Sequence, residues 1–322
     1  MEILVLHPGG LGDIILSLPA IALLRRRHAK ARITIAANPD HLAPVAEGYA
    51  DCIISLSSVP LHQLHVPAFL FNPDMRFWKK FDLLVSWTGF GNPDFICNLK
   101  RLNPDAIVAS WHPGPREQRH ASRLFIDSLG VAPLNAGAPP EIEPTIHLNS
   151  NARQDGFQWI HARGWKQEPL IALHPGAGSK LKRWPLERFI ELARRLTRDQ
   201  KNKLLLIEGP AEEGLSNQIS AALPGIESIV AKAIPLNLLA AALECCRLFI
   251  GNDSGLAHLA AAIEVPSIVL FGPTLPQHWA PLGKHVSVLR EPCGCTACSS
   301  GCGDHTCLLN ISVDDVVRAI PE

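Results

Sequence analysis

Short, continuous apolar runs recur along this chain, separated by helix-length amphipathic segments, and that alternation is what most restricts its fold. In the first half the runs are EILVL (2–6), ITIA (33–36), IISL (53–56), DLLVS (82–86) and DAIVA (105–109). In the second they are LIAL (170–173), KLLLI (203–207), ESIVA (227–231), RLFIG (247–251) and SIVLF (267–271). A strand that is apolar throughout, rather than at alternate residues, is buried on both faces, and strands separated by helices pair in parallel. The expected class is α/β, built from doubly wound parallel sheets. At 322 residues the chain exceeds the commonest single-domain size, so two domains of roughly 150 residues are expected. The Pro-rich stretch PLNAGAPPEIEP, Pro133 to Pro144, reads as a linker. It places the domains at 1–150 and 151–322.

The two halves open alike. EILVL runs into HPGGLGD (His7 to Asp13), and LIAL runs into HPGAGSK (His174 to Lys180). Each half thus begins with a strand, a glycine-rich turn and a helix. Ligands of such sheets bind outside the carboxyl ends of the strands, so two domains facing a central cleft would bring both turns to it. In the first turn Gly9, Gly10 and Gly12 let the backbone bend tightly and approach a ligand. Asp13 opens a helix with Ile14, Leu18 and Ile21 on one stripe, where a carboxylate can simply serve as a cap. An anion there repels phosphate, so the turn suits taking a proton or binding a hydroxyl. The second turn has the opposite electrostatics. Ser179, Lys180, Lys182 and Arg183 precede the helix LERFIELARRL, a good anion site, with a solvated basic loop as the alternative. It is no Walker A loop, because the GxxxxGK[ST] spacing is absent.

A third cluster follows RLFIG: Asn252, Asp253, Ser254, Gly255 and, within an apolar helix, His258. Helix capping alone accounts for the first three. At the carboxyl end of a strand they also make credible nucleotide-sugar ligands. Glu212 and Glu213 follow KLLLIEGP, where an acid often grips ribose hydroxyls; an exposed helix start is the equal alternative. Arg116, Arg119, His120 and Arg123 form a basic run that either marks a solvated helix face or holds an acidic acceptor.

Composition narrows the function further. Thirty basic residues balance thirty acidic ones, so nothing in the overall charge favours nucleic acid. No apolar run reaches the ~18 residues of a membrane span. Met1 leads straight into a strand pattern, which argues against a signal peptide and for the cytoplasm, where thiols stay reduced. Cys293, Cys295, Cys298, Cys302 and Cys307, with His305, nevertheless crowd into one glycine- and serine-rich segment. Close thiols in a reducing compartment suit a structural zinc or iron, with free thiols or disulfides as the alternatives.

The set HPGGLGDIILSLPAI, HPGAGSKLKRWPLERF, GNDSGLAHLAAAIEVPSIVLFGPT and CGDHTCLLNISVDDV resembles glycosyltransferase family 9, the bacterial heptosyltransferases of the lipopolysaccharide inner core. The resemblance spans nearly the whole chain in the right order and is weakest between about residues 57 and 105. It implies a GT-B architecture of two Rossmann-like domains, with acceptor on the N-terminal one and donor on the C-terminal one. It further implies inverting transfer of a heptose from an ADP-heptose to a Kdo or heptose unit on lipid A, with no metal required for catalysis. Carried onto this sequence, Asp13 matches the catalytic base and Lys182 the lysine on the donor phosphates. Asp253, Ser254, Gly255 and His258 match the donor-binding segment, and Glu212 lies near the ribose-binding acid. Ser179 and Lys180 would join the donor site, and Gly10, Gly12, Arg116, Arg119, His120 and Arg123 the acceptor site. An anionic glycolipid acceptor implies peripheral association with the inner membrane, to which Arg25, Arg26, Arg27, Lys30 and Arg32, with Arg116, Arg119 and Arg123, could contribute. Transfer of another sugar, transfer onto protein, and non-catalytic nucleotide-sugar binding are the competing readings. An NAD-dependent dehydrogenase is disfavoured because neither turn reads GxGxxG.

Overall fold

The computed structural model describes residues 1–71, 75–114, 116–130, 143–199, 201–209, 213–292 and 306–321. The chain divides into two compact units, Met1–Pro144 and Thr145–Glu322.

The first unit holds strands β1 (Glu2–Leu6), β2 (Arg32–Ala37), β3 (Cys52–Ser55), β4 (Leu83–Ser86) and β5 (Ile107–Val108). They form one parallel sheet in the order β3-β2-β1-β4-β5. The helix Leu11–Arg27 follows β1 and is buried along most of its length, from Ile14 to Leu24, despite Pro19 in its interior. Pro19 lacks the N–H an inner helical residue supplies. Two carbonyls of the turn before it also accept side-chain hydroxyls: Ser17 Oγ donates to Ile14 O at 2.7 Å, and Ser122 Oγ to Leu16 O at 2.8 Å.

The second unit holds β6 (Leu170–His174), β7 (Lys203–Glu208), β8 (Ser228–Lys232), β9 (Leu248–Asn252), β10 (Ser267–Leu270) and β11 (Val286–Leu289). Its parallel sheet runs β11-β10-β9-β6-β7-β8. Counted within its own unit, each sheet has the Rossmann order 3-2-1-4-5, extended by a sixth strand in the second. Every strand expected from an apolar run is present. β11 was not expected, because its run VSVL is broken by an exposed serine, as befits an edge strand.

The core of the second unit packs Trp184, Phe189 and Leu192 against the central strands and against Leu308, Ile311 and Val316 near the C-terminus. Trp184 Nε1 donates to Ile311 O at 2.9 Å, and the Arg188 guanidinium also reaches that carbonyl, so the helix Val313–Arg318 is tied to the helix Leu186–Leu196. The helices Ser150–His161 and Leu236–Glu244 meet at Gly156, where an added Cβ would lie 2.5 Å from Ala241 Cβ and 2.6 Å from its carbonyl carbon. Two effects oppose each other there. Alanine in mid-helix gains about 1 kcal/mol over glycine in propensity, whereas overpacking costs about 1–3 kcal/mol. The blocking atoms are backbone and cannot swing aside, so Gly156→Ala is expected to lower the urea midpoint; a raised midpoint would mean that the interface yields. Among the described residues no helix is long and apolar enough to cross a membrane.

Candidate functional site

In a sheet of this order the crevice for ligands opens where neighbouring strands send their connections to opposite sides. In the first unit that point lies between β1 and β4, in the second between β6 and β9. Both HPG turns leave the carboxyl ends of the strands that flank these points, β1 and β6.

In the first turn Asp13 is half-buried in the opening turn of its helix, and its Oδ2 accepts the Gly10 N–H at 2.9 Å. The carboxylate therefore does act as a cap, as its position in sequence allowed. Gly9 has no room for a side chain: a Cβ would stand 2.5 Å from Asp13 Cβ and 2.8 Å from its Oδ2. Gly10 is exposed and Gly12 partly so. His7, the residue that follows β1, is buried, and its Nδ1 accepts the Gly9 N–H at 3.1 Å.

The basic run carries much less unpaired charge than its sequence suggests. Arg119 pairs with Glu117 at 2.7 Å and Asp127 at 3.0 Å, and Arg123 pairs with Asp127 at 3.0 Å. Hydrogen bonds from Arg119 hold the Glu117 carboxyl down at about 2. The His120 side chain accepts the Ser122 N–H and caps the helix Ala121–Ser128. Arg116 is exposed and makes no ion pair among the described residues. Arg25 is spent on Asp51 at 2.6 Å and on the Ala31 carbonyl. Arg26 and Arg27 are exposed at the far end of the first helix from Asp13, about 20 Å away at 1.5 Å per residue. They do not border that turn.

In the second unit a tighter cluster forms. His174 pairs in register with Gly251, which brings the turn after β6 against the segment after β9. Asn252, fully buried, ties the end of β9 to both ends of the connection between β6 and the helix Leu186–Leu196. Its Nδ2 donates to Pro175 O at 2.8 Å and Gly176 O at 3.2 Å, while its Oδ1 accepts the Trp184 N–H at 3.0 Å. Lys182, just before Trp184, is thereby delivered to Asp253, with Nζ 2.8 Å from Oδ2. Thr274, after β10, donates to the same oxygen. The Asp253 side chain is 6% exposed and that of Lys182 30%, so the ammonium is the member that solvent or a ligand can reach. Ser254 Oγ lies 3.2 Å from His174 Nδ1. Burial, helped by the charge of Arg183, lowers the His174 pKa to about 4, so this imidazole is neutral near pH 7.

Lys182, Asp253 and Ser254, all named from sequence, thus share one site. Gly255 begins the helix Gly255–Ala262, and His258 is buried within it. Ser179 Oγ accepts the Leu181 N–H at 3.3 Å and its carbonyl the Lys182 N–H at 3.1 Å, and Lys180 is exposed with no ion pair among the described residues. The sequence singles out no site role for His7, His174 or Thr274, and offers Asn252 as a cap or a ligand rather than as a tie between segments. All four lie inside motifs already singled out, but their partners are distant in sequence.

Glu212 and the cysteines Cys293, Cys295, Cys298 and Cys302, with His305, lie outside the described residues. Cys307 is buried. Among the described residues no group of three or more His, Cys, Asp or Glu side chains is placed to hold a metal ion. Glu213 is exposed and 3.3 Å from Lys232. The buried acid at the end of β7 is instead Glu208, which accepts the Ser216 hydroxyl and amide and lies 3.2 Å from Lys232 Nζ. Burial alone would raise its pKa, but the hydrogen bonds from Ser216, Gly214 and Lys232 outweigh that and lower it to about 2.

Two Rossmann-ordered parallel-sheet domains are the components of the GT-B fold class. A family model described as glycosyltransferase family 9 (heptosyltransferase) matches residues 124–305, more than half of the chain, and the chain belongs to that family. The curated lipopolysaccharide heptosyltransferase 2 of Salmonella typhimurium is 30% identical over 162 residues, covering 48% of this chain and 46% of the relative. The chain thus matches about half the length of such curated relatives. Among solved structures, E. coli ADP-heptose LPS heptosyltransferase II superposes with a TM-score of 0.75 at 21% identity, covering 99% of this chain and 97% of that one. A family 9 glycosyl transferase from Veillonella parvula gives 0.77 at 24% identity, covering 99% and 95%. These likenesses establish the fold.

Proposed function

We propose that the chain is an inverting glycosyltransferase that moves a heptose from an ADP-heptose onto a lipopolysaccharide inner-core acceptor, a Kdo or heptose unit on lipid A. The observation that carries this reading is the Lys182–Asp253–Thr274 cluster beside Ser254 at the β6–β9 switch point. A reachable ammonium beside the HPGAGS turn supports the reading, because a diphosphate bound there would need cationic and amide donors. The second unit is then the donor domain and the first, with Asp13, the acceptor domain.

In the step itself the acceptor hydroxyl oxygen forms a bond to the anomeric carbon. The bond from that carbon to the diphosphate oxygen breaks, its electron pair leaves with ADP, and the hydroxyl proton passes to Asp13. A carboxylate with a reference pKa of about 3.9 is a weak base, so proton transfer comes late, once the attacking oxygen has lost electron density. Lys182 and the turn amides stabilise the charge that builds on the leaving diphosphate. No metal takes part in these steps. A structural zinc or iron at the cysteine cluster would pin the segment ahead of the C-terminal helix. Elemental analysis of protein purified without added metal or chelator should then find about one metal ion per chain, the number that a single tetrathiolate site holds; none would leave those thiols free or oxidised.

The reading is tested by following ADP release from ADP-heptose in the presence and absence of a Kdo-bearing lipid A acceptor. Acceptor-dependent release with a heptosylated product is expected. Turnover only with another nucleotide sugar, or only with a protein acceptor, would replace it.

A further inference from the structure

We propose that His7 is a positioning residue for Asp13, acting through the backbone of the turn between them. The proposal rests on the reading of Asp13 as the base. The His7 imidazole is boxed by aromatic rings: Phe125 at 5.5 Å and Trp111 at 6.1 Å between centroids, both stacked, and Trp87 edge-on at 5.5 Å. The box is itself pinned, since Trp87 Nε1 donates to Ser128 Oγ at 2.9 Å and Trp111 Nε1 to Trp87 O at 3.1 Å. The ring therefore cannot swing away from the turn.

From that fixed ring Nδ1 accepts the Gly9 N–H. His7 and Asp13 crowd the same face of Gly9, where a Cβ would be 2.8 Å from His7 Cε1 and 2.5 Å from Asp13 Cβ. Imidazole and carboxylate thus close on the glycine together, with Gly10 N–H bonded to the carboxylate itself. Because Nδ1 is an acceptor, the ring proton sits on Nε2, which is buried and has no hydrogen-bond partner among the described residues. Leaving a buried N–H unpaired is costly, and leucine would fill an aromatic box without that cost. What leucine cannot do is accept the Gly9 N–H. Burial, opposed by the Asp13 and His7 carbonyls, lowers the His7 pKa to about 4 and so keeps the acceptor nitrogen unprotonated near pH 7.

Two substitutions separate positioning from packing. His7→Phe keeps an aromatic ring in the box and loses the acceptor; His7→Asn keeps an acceptor near the Nδ1 position and loses the ring. If His7 positions Asp13, His7→Phe should lower kcat by about 10- to 10²-fold, the size expected of a misplaced catalytic group, with donor and acceptor KM little changed. His7→Asn should restore most of kcat while melting at a lower temperature. The reverse order, an active phenylalanine variant and an inactive asparagine variant, would reduce His7 to core packing. Should His7→Phe fail to fold, judged by its melt and by ADP binding to the other unit, His7→Leu also removes the acceptor and is expected to show the same loss of kcat. In an Asp13→Asn background His7→Phe should add no further loss, and an undiminished second loss would overturn action through Asp13. Normal turnover in Asp13→Asn alone would instead remove the base, and with it the proposal.

Discussion

Asp13→Asn is expected to lower kcat by ~10²-fold or more while leaving the fold and ADP-heptose affinity intact. The structure sharpens this experiment. Asp13 Oδ2 accepts the Gly10 N–H, and an asparagine oxygen can accept the same bond, so the substitution removes the charge and keeps the cap. Asp13→Ala removes both, and should add a stability loss of about 1 kcal/mol to the loss of rate. The pair of variants therefore divides the two roles that one residue plays. An asparagine variant with near-normal kcat on the true acceptor, measured at saturating donor, would leave Asp13 as a helix cap only.

Lys182→Ala carries the second large effect, and its cause is twofold. Losing the ammonium withdraws a cation from the leaving diphosphate, worth about 10²- to 10³-fold in kcat by analogy with removal of one transition-state donor. It also strips Asp253 of its ionic partner. That carboxylate is buried and would retain only the Thr274 hydroxyl among the contacts that the site provides to it. An uncompensated anion would then face the donor phosphates and repel them. KM for the donor should rise along with the fall in kcat, and Lys182→Ala/Asp253→Asn should recover part of the donor affinity that Lys182→Ala loses. The solvated-loop alternative expects neither change, so unchanged steady-state constants in Lys182→Ala would remove this lysine from the donor site.

That second prediction could not be made in full from the sequence. Lys182 and Asp253 were each assigned to the donor, but as independent ligands rather than as an ion pair. They are 71 residues apart, and no local pattern reports which of the strands between them become neighbours. The arginines err in the opposite direction. In sequence Arg119 and Arg123 read as a solvated helix face or a grip on an acidic acceptor, yet Glu117 and Asp127 within the same short segment take up their charge. Those acids were visible in sequence; the turn that folds Glu117 back onto Arg119 was not.

By itself the sequence determined the parts: strands buried on both faces, helices between them, and a glycine turn after the first strand of each half; the Pro-rich segment lies largely outside the described residues. These follow from the polarity and backbone freedom of residues near one another in the chain, and such information is local. Tertiary structure alone decided the sheet orders, which place β4 beside β1 and β9 beside β6 and so open a switch point at each HPG turn. It also decided that Asn252 ties β9 to the connection after β6, that Lys182 meets Asp253, and that His7 is held in an aromatic box against the turn of Asp13. Each of these is a contact between segments far apart in the chain. Its free energy exists only after the crossovers have closed, so no window of neighbouring residues could have contained it.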